Sequence, residues 1–395
     1  MKKRIAAVSN VFLIGLVSFF MDMSTEMIYP ILPLYLTAVL GATPAIVGVI
    51  EGVAESVASL LKVASGYIGD RYQNKKRLAF LGYSASVLYK FVLLIAGSWG
   101  GVLAARVIDR TGKGIRTAPR DALVAQSSEK GKLGGSYGLH KMLDVAGSSL
   151  GALFAFLFIA FGMKYRPAFL WSVIPGVVAV MIIPLIREEK GAAPKRRRLA
   201  LRGLKLDARL KWYFAVLFLF CLGNSSNAFL LLKAQSRGFS TSEVMLLYLI
   251  FSVSASILAI PAGRLSDRFG RSRILIPGYL IYGLVYLGFA LLTSKVSLLI
   301  LFVAYGAYTA FISGAERALI AEASPAEYKG TVLGVYGMLQ GFGLLFSSMI
   351  AGGMWNVWGS DAPFWFGGVL GIVSALLIAV ILRAGKGRKA ADRSD

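Results

Sequence analysis

The sequence predicts an all-α membrane protein of twelve transmembrane helices in two pseudo-symmetric six-helix bundles. Three observations predict it. Hydrophobic residues make up 56% of the 395 positions and charged ones 16%, against about 25% charged in an ordinary soluble domain. Apolar stretches of bilayer-spanning length then follow one another along the whole chain. Finally, one phrase is written twice. Gly66-Tyr-Ile-Gly-Asp70-Arg71, followed by Lys75, Lys76 and Arg77, recurs as Gly263-Arg-Leu-Ser-Asp267-Arg268-Phe-Gly270-Arg271-Ser-Arg273, with Gly66/Gly263, Asp70/Asp267 and Arg71/Arg268 each 197 residues apart. A period of half the chain marks two copies of one unit, not a solenoid.

The first span, 8–38, follows Met1-Lys-Lys-Arg4. No small-residue cleavage site succeeds it and the run continues through Phe20 to Pro30, so it reads as a retained helix rather than a leader. Spans two to six are expected at 43–69, 78–97, 99–126, 133–162 and 166–186, and spans seven to twelve at 212–236, 241–266, 274–293, 296–322, 329–358 and 362–382. Several exceed the roughly 20 residues a bilayer needs, which implies tilt or extension beyond it. The organisation is thus a six-helix bundle over 1–186, a basic linker over 187–211, and a second bundle with a short tail over 212–395. The linker holds Lys195-Arg-Arg-Arg198 and leucines at 199, 201, 204, 206 and 210. It reads as an orientation signal and tether, or as an amphipathic stretch on anionic headgroups.

Charge tests the topology. With the N-terminus in the cytoplasm, the segments on that side hold 29 of the 43 basic residues, and the outer loops only Lys164, Arg166, Arg237 and Lys295. This asymmetry places both termini inside. It also explains the net charge of +23 as topology rather than as a nucleic-acid footprint. The single cysteine, Cys221, excludes an intrachain disulfide and a multi-cysteine metal cluster. Trp171, Trp355, Trp358 and Trp365 read as interfacial anchors, and the Asn224-Ser-Ser226 sequon lies inside span seven, where it would not be glycosylated.

Twelve spans in two halves, a basic central loop, and Gly-x-x-x-Asp-Arg loops after spans two and eight resemble the major facilitator superfamily over essentially the whole chain. A second internal match agrees: Ala122-Leu-Val-Ala125, Gly134, Gly138, Met142 and Leu143 recur 196 residues on as Ala318-Leu-Ile-Ala321, Gly330, Gly334, Met338 and Leu339. The first loop departs from the family pattern, with Tyr72-Gln73-Asn74 where a glycine is customary; the second keeps Gly270. The resemblance implies alternating access between the bundles, with Gly66, Asp70, Arg71, Gly263, Asp267 and Arg268 forming a cytoplasmic gate. One copy alone also suits solvated loop charges; recurrence at the same repeat position favours the gate.

The interior is asymmetric. Ten basic residues fall inside spans, eight of them in the N-terminal half: Lys62, Lys90, Arg106, Arg110, Lys113, Arg116, Arg120 and Lys141. That half also carries Asp22, Glu26, Glu51, Glu55, Asp109, Asp121 and Asp144, whereas the C-terminal half has Lys233, Arg317 and one acid well inside a span, Glu316. Ionisable groups in a bilayer face a cavity or a partner. On span four, Arg106, Arg110, Lys113 and Arg120 lie within about 40° of one line at about 100° per residue, with Asp109 and Arg116 at its margin. Members of the family often carry R-x-x-Q-G-x-G here. Arg110 and Gly114 match, while Lys113 and Arg116 replace the polar residue and the last glycine, which argues against hydrophobic-cation specificity.

Two readings follow. In one, Arg106, Arg110, Lys113 and Arg116 bind an anionic or zwitterionic solute, Asp22, Glu26 or Asp109 carry protons, and Glu51, Glu55, His140, Lys141, Asp144, Glu316 and Arg317 join them as candidates for proton coupling or a charge network. In the other, these groups satisfy one another structurally. His140 stands alone, which suits a hydrogen-bonded structural role better than a metal site. No Walker loop occurs. The expectation is a non-enzymatic, cofactor-free and metal-free monomer in the plasma membrane, proton-coupled and exporting a small organic solute. Uptake of an anionic or zwitterionic metabolite is the nearest alternative. A membrane receptor on the same fold is a further one, although only 383–395 follow the last span.

Overall fold

The computed structural model describes residues 2–72, 74–128, 133–188, 208–324 and 329–391. Among the described residues every regular element is helical. The first half holds α1 (Lys2–Glu26), α2 (Leu32–Ala38), α3 (Pro44–Tyr72), α4 (Lys75–Ile95), α5 (Trp99–Ser127), α6 (Leu133–Ala160) and α7 (Tyr165–Ile182). The second holds α8 (Ala208–Gly223), α9 (Ala228–Ser236), α10 (Thr241–Phe269), α11 (Arg271–Leu291), α12 (Lys295–Ala323), α13 (Lys329–Trp358) and α14 (Ala362–Ala391). Most of the expected linker, 189–207, lies outside the described residues.

Among the described residues, ten spans are long and apolar enough to cross a bilayer: α3, α4, α6, α7, the α8–α9 pair and α10 to α14. The expected spans at 8–38 and 99–126 are outside this set. α5 is 29 residues long, but Arg106, Asp109, Arg110, Lys113, Arg116, Arg120 and Asp121 make it too polar to qualify. α1 stops at Glu26, so the first stretch is not the continuous helix expected. Pro30 and Pro33 interrupt it, since proline lacks the N–H that an unbroken helix needs, and Pro33 opens α2. The seventh stretch breaks likewise at Asn224–Asn227 between α8 and α9, where short polar side chains compete for backbone groups. The Ser347 hydroxyl donates to the Asn224 carbonyl at 3.0 Å, Tyr282 to the Gly223 carbonyl at 2.7 Å, and the Ser226 N–H to Ser348 at 3.2 Å. The opened backbone is therefore satisfied.

Two compact units result, one of residues 1–197 and 240–249, the other of 198–239 and 250–395. In the first, α5 packs on α3 and α4, and α1 on α6 and α7. Glycines set these approaches: a Cβ on Gly82 would stand 2.6 Å from the Gly112 carbonyl oxygen, and one on Gly114 2.6 Å from Leu61. The end of this unit is pinned by Glu188, whose carboxylate accepts from the Lys75 and Lys76 N–H groups at 2.8 and 3.3 Å and so caps α4. Asn10 holds the Arg187 backbone through both its amide groups, at 2.8 and 2.9 Å. The second unit centres on α11 between α12 and α14, with Tyr282, Tyr286, Phe289, Phe302 and Phe364 in edge and tilted ring contacts. Trp171, Trp358 and Trp365 are exposed, whereas Trp355 packs on Phe229 and Phe364.

Candidate functional site

The charges of α5 enter two different environments. Arg106 and Arg110 are buried, as is Asp109 between them. Arg106 donates one nitrogen to both oxygens of Glu51 at 2.8 Å and lies 3.6 Å from Asp109; Arg110 lies 3.4 Å from Glu55 and 3.8 Å from Asp109. Charge therefore alternates along Glu51, Arg106, Asp109, Arg110 and Glu55, with both glutamates one turn apart on α3. Arg116 is buried against the Ser86 hydroxyl and stands over the Tyr83 ring at 4.6 Å. Lys90, fully buried on α4, donates to the Ser86 carbonyl at 3.2 Å. Three of the four candidate solute-binding cations are thus committed to protein partners.

Lys113 is the exception. It is exposed and has no ion-pair partner among the described residues, although Glu55, Asp22 and Glu26 lie within its electrostatic reach. It shares a helical stripe with Arg106, but seven residues separate them, about 10 Å along the axis. Arg106 falls under Glu51 and the Tyr29 ring, at 5.6 Å; Lys113 falls beyond that cover. Glu26 accepts from the Tyr248 hydroxyl at 2.7 Å, inside the first unit as delimited above.

A second cluster joins α1 to α6. Asp22 and Asp144 lie within electrostatic reach of each other, and Asp144 pairs at 2.6 Å with the exposed Lys141. His140 is buried with its Nε2 2.9 Å from the Ser18 hydroxyl, which lies 3.3 Å from Tyr83. Among the described residues no group of histidine, cysteine and carboxylate side chains is suited to a metal ion.

In the second unit Glu316 is buried and held by the Tyr279 hydroxyl at 2.7 Å, the Tyr336 hydroxyl at 3.1 Å and the Gln340 amide at 3.3 Å. The adjacent Arg317 is exposed. Lys233, fully buried, pairs with Asp361, which also meets Arg237 at 2.7 Å. For the expected gate, the side chains of Asp70, Arg71 and Asp267, and the surroundings of Gly66, lie outside the described residues. Arg268 is exposed over the Phe269 ring at 5.5 Å, and a Cβ on Gly263 would meet nothing within 4 Å. A cavity of about 480 Å³ lined by Tyr35, Lys164, Tyr165 and Arg166 shares no residue with either charge cluster.

Comparison with known proteins agrees with this architecture. The chain is 35% identical over 381 residues to an uncharacterized MFS-type transporter of Methanocaldococcus jannaschii, covering 94% of each chain. It is 26% identical over 344 residues to the aspyridones efflux protein apdF of Emericella nidulans, covering 80% of this chain and 67% of that one. A crystal structure of a POT family transporter in complex with a thioalcohol-conjugated peptide superposes with a TM-score of 0.81 at 13% identity, covering 95% of this chain and 96% of that one. At that identity the likeness concerns the fold. The family model for the Major Facilitator Superfamily matches residues 14–233 and again 213–394. This multi-pass membrane protein belongs to the Major Facilitator Superfamily of transporters.

Proposed function

We propose that the chain is a proton-coupled secondary transporter that exports a small organic solute by alternating access. In this reading it acts as a monomer in the plasma membrane with both termini cytoplasmic. The observation that carries it is the Asp22–Asp144 pair. Two neighbouring carboxyl groups repel each other when both are ionised, so in this reading the α1–α6 contact shares a proton that separation of the two groups would release. Lys141 and Arg120 lie beside Asp144. Efflux is supported by the likeness to the aspyridones efflux protein.

The solute meets Lys113 rather than the arginines, since Arg106, Arg110 and Arg116 already have partners. With Asp22, Glu26 and Glu55 around it, Lys113 offers one free ammonium among carboxyl groups, a surface suited to a solute carrying both signs. That same feature favours the second reading, uptake of an anionic or zwitterionic metabolite. The repeated Asp70-Arg71 and Asp267-Arg268 turns serve as the cytoplasmic gate in either direction.

The test is proton movement. Proteoliposomes carrying a pH-sensitive dye are given an imposed pH gradient and a panel of cationic, zwitterionic and anionic solutes. The wild type dissipates the gradient with at least one solute. Asp22→Asn retains solute binding by thermal shift and loses the proton flux. An unchanged flux in Asp22→Asn removes the carboxyl pair from coupling.

A further inference from the structure

The internal repeat extends into the bundle interiors, where it pairs unlike chemistry. At the register of 196, Gly82 and Tyr83 on α4 fall on Gly278 and Tyr279 on α11, Arg120 on α5 falls on Glu316 on α12, and His140 and Asp144 on α6 fall on Tyr336 and Gln340 on α13. In the first unit Tyr83, His140 and Asp144 are electrostatic neighbours of Arg120. In the second, Tyr279, Tyr336 and Gln340 are the three side chains bonded to Glu316. The same four positions build one centre in each half. In the first half its middle is a cation beside ionisable groups; in the second it is a carboxyl among neutral donors.

We propose that Glu316 is a proton-binding site of the second half, loaded and emptied separately from the Asp22–Asp144 pair. Its geometry is the argument. The carboxyl is buried, and among the described residues no cation lies within ion-pairing distance. Desolvated charge without a counter-charge is costly in a bilayer, and three neutral hydrogen bonds offset only part of that cost. One proton from water joining a carboxylate oxygen removes the charge and breaks no covalent bond. It does remove an acceptor, so Tyr336 or Gln340 must release its grip. The Tyr336 oxygen already accepts from Gln340 at 2.7 Å, which gives it a position to fall back on. The proton state of Glu316 thereby governs the contact of α12 with α13. The titratable groups around it are Cys221 on α8, Tyr279 on α11, Tyr308 on its own helix and Tyr336 on α13. The nearest charge, on the adjacent Arg317, is exposed.

Infrared difference spectroscopy of the purified full-length protein in lipid nanodiscs, stepped between about pH 5 and pH 9 across the range of perturbed carboxyls, reads this directly. A carboxylic-acid C=O band appears on the acid side in the wild type and is lost in Glu316→Gln, an isosteric change that keeps an acceptor for Tyr279. The band persists in Asp22→Asn, which separates this site from the coupling pair. In Tyr279→Phe it moves to higher wavenumber, because the carbonyl oxygen loses the donor it keeps when the proton joins the other oxygen, which Tyr336 and Gln340 share, a change that a purely structural role would not produce. Absence of any band that depends on Glu316, or a band unmoved in Tyr279→Phe should Glu316→Gln fail to purify, overturns the proposal. Proton flux lost in Asp22→Asn with no Glu316 band would overturn this site alone.

Discussion

At the scale of single residues, burial divides groups that the helical wheel places together. Arg106 and Lys113 share a stripe of α5, yet one is committed to Glu51 and the other is free. Their substitutions should therefore differ in kind. Glu51→Gln leaves Arg106 buried beside a neutral amide and is expected to lower stability by about 3–5 kcal/mol, read as a lower midpoint of thermal unfolding in detergent. Lys113→Gln removes an exposed, unpaired charge and is expected to stay within about 0.5 kcal/mol of wild type while abolishing solute-dependent flux. A Lys113 variant that transports normally would remove it from the solute site. The types and spacing of these residues were legible in the sequence: acids one turn apart on span two, cations along span four. Which cation was satisfied was not, because that depends on how far along the axis Glu51 and Glu55 sit once α3 packs on α5.

At the scale of elements, small residues determine how closely helices approach. Helix association in lipid relies on packing rather than on burial from water, so a clash at such a contact has no easy relief. Gly82→Val would drive side-chain atoms into the Gly112 backbone, since even a Cβ there stands 2.6 Å from its carbonyl oxygen. A cost of about 1–3 kcal/mol is expected, again measured by thermal unfolding. Gly337→Ala, where a Cβ would meet nothing within 4 Å, is expected to leave the midpoint unchanged; equal effects would contradict the packing argument. The breaks in the first and seventh stretches show a different limit of sequence reading. Pro30, Pro33 and Asn224–Asn227 were visible, but hydropathy counts apolar length and does not register an interrupted hydrogen-bond ladder. The loop between α10 and α11 shows local chemistry at work. Gly270 adopts φ +90° there, in the left-handed region that glycine reaches freely.

At the scale of the whole molecule, two copies of one unit have been given different interiors. The Gly-x-x-x-Asp-Arg turns are nearly alike, so the proposed gate predicts nearly equal effects from its two copies. Asp70→Asn and Asp267→Asn should each raise hydrogen exchange at the final turns of α3 and α10 by a similar factor, and the double variant should exceed both. A response confined to one copy would refute a gate shared by the two halves. The charged interior is not shared: the first half holds the alternating network and the carboxyl pair, the second an aromatic core around Glu316.

What the sequence by itself determined was the membrane class, the duplication and most of the helical spans, because apolar length and a repeat are properties of order along the chain. The asymmetry of charge was equally plain, since buried ionisable residues stand out against an apolar background. Only the tertiary structure decided which charges neutralise each other. Arg106 and Arg110 found Glu51 and Glu55 on α3, while Arg116 found the Ser86 hydroxyl on α4 and Lys113 no ion-pair partner among the described residues. The physical reason is that an ion pair forms over a few ångströms between helices whose mutual depth and rotation no single helix encodes.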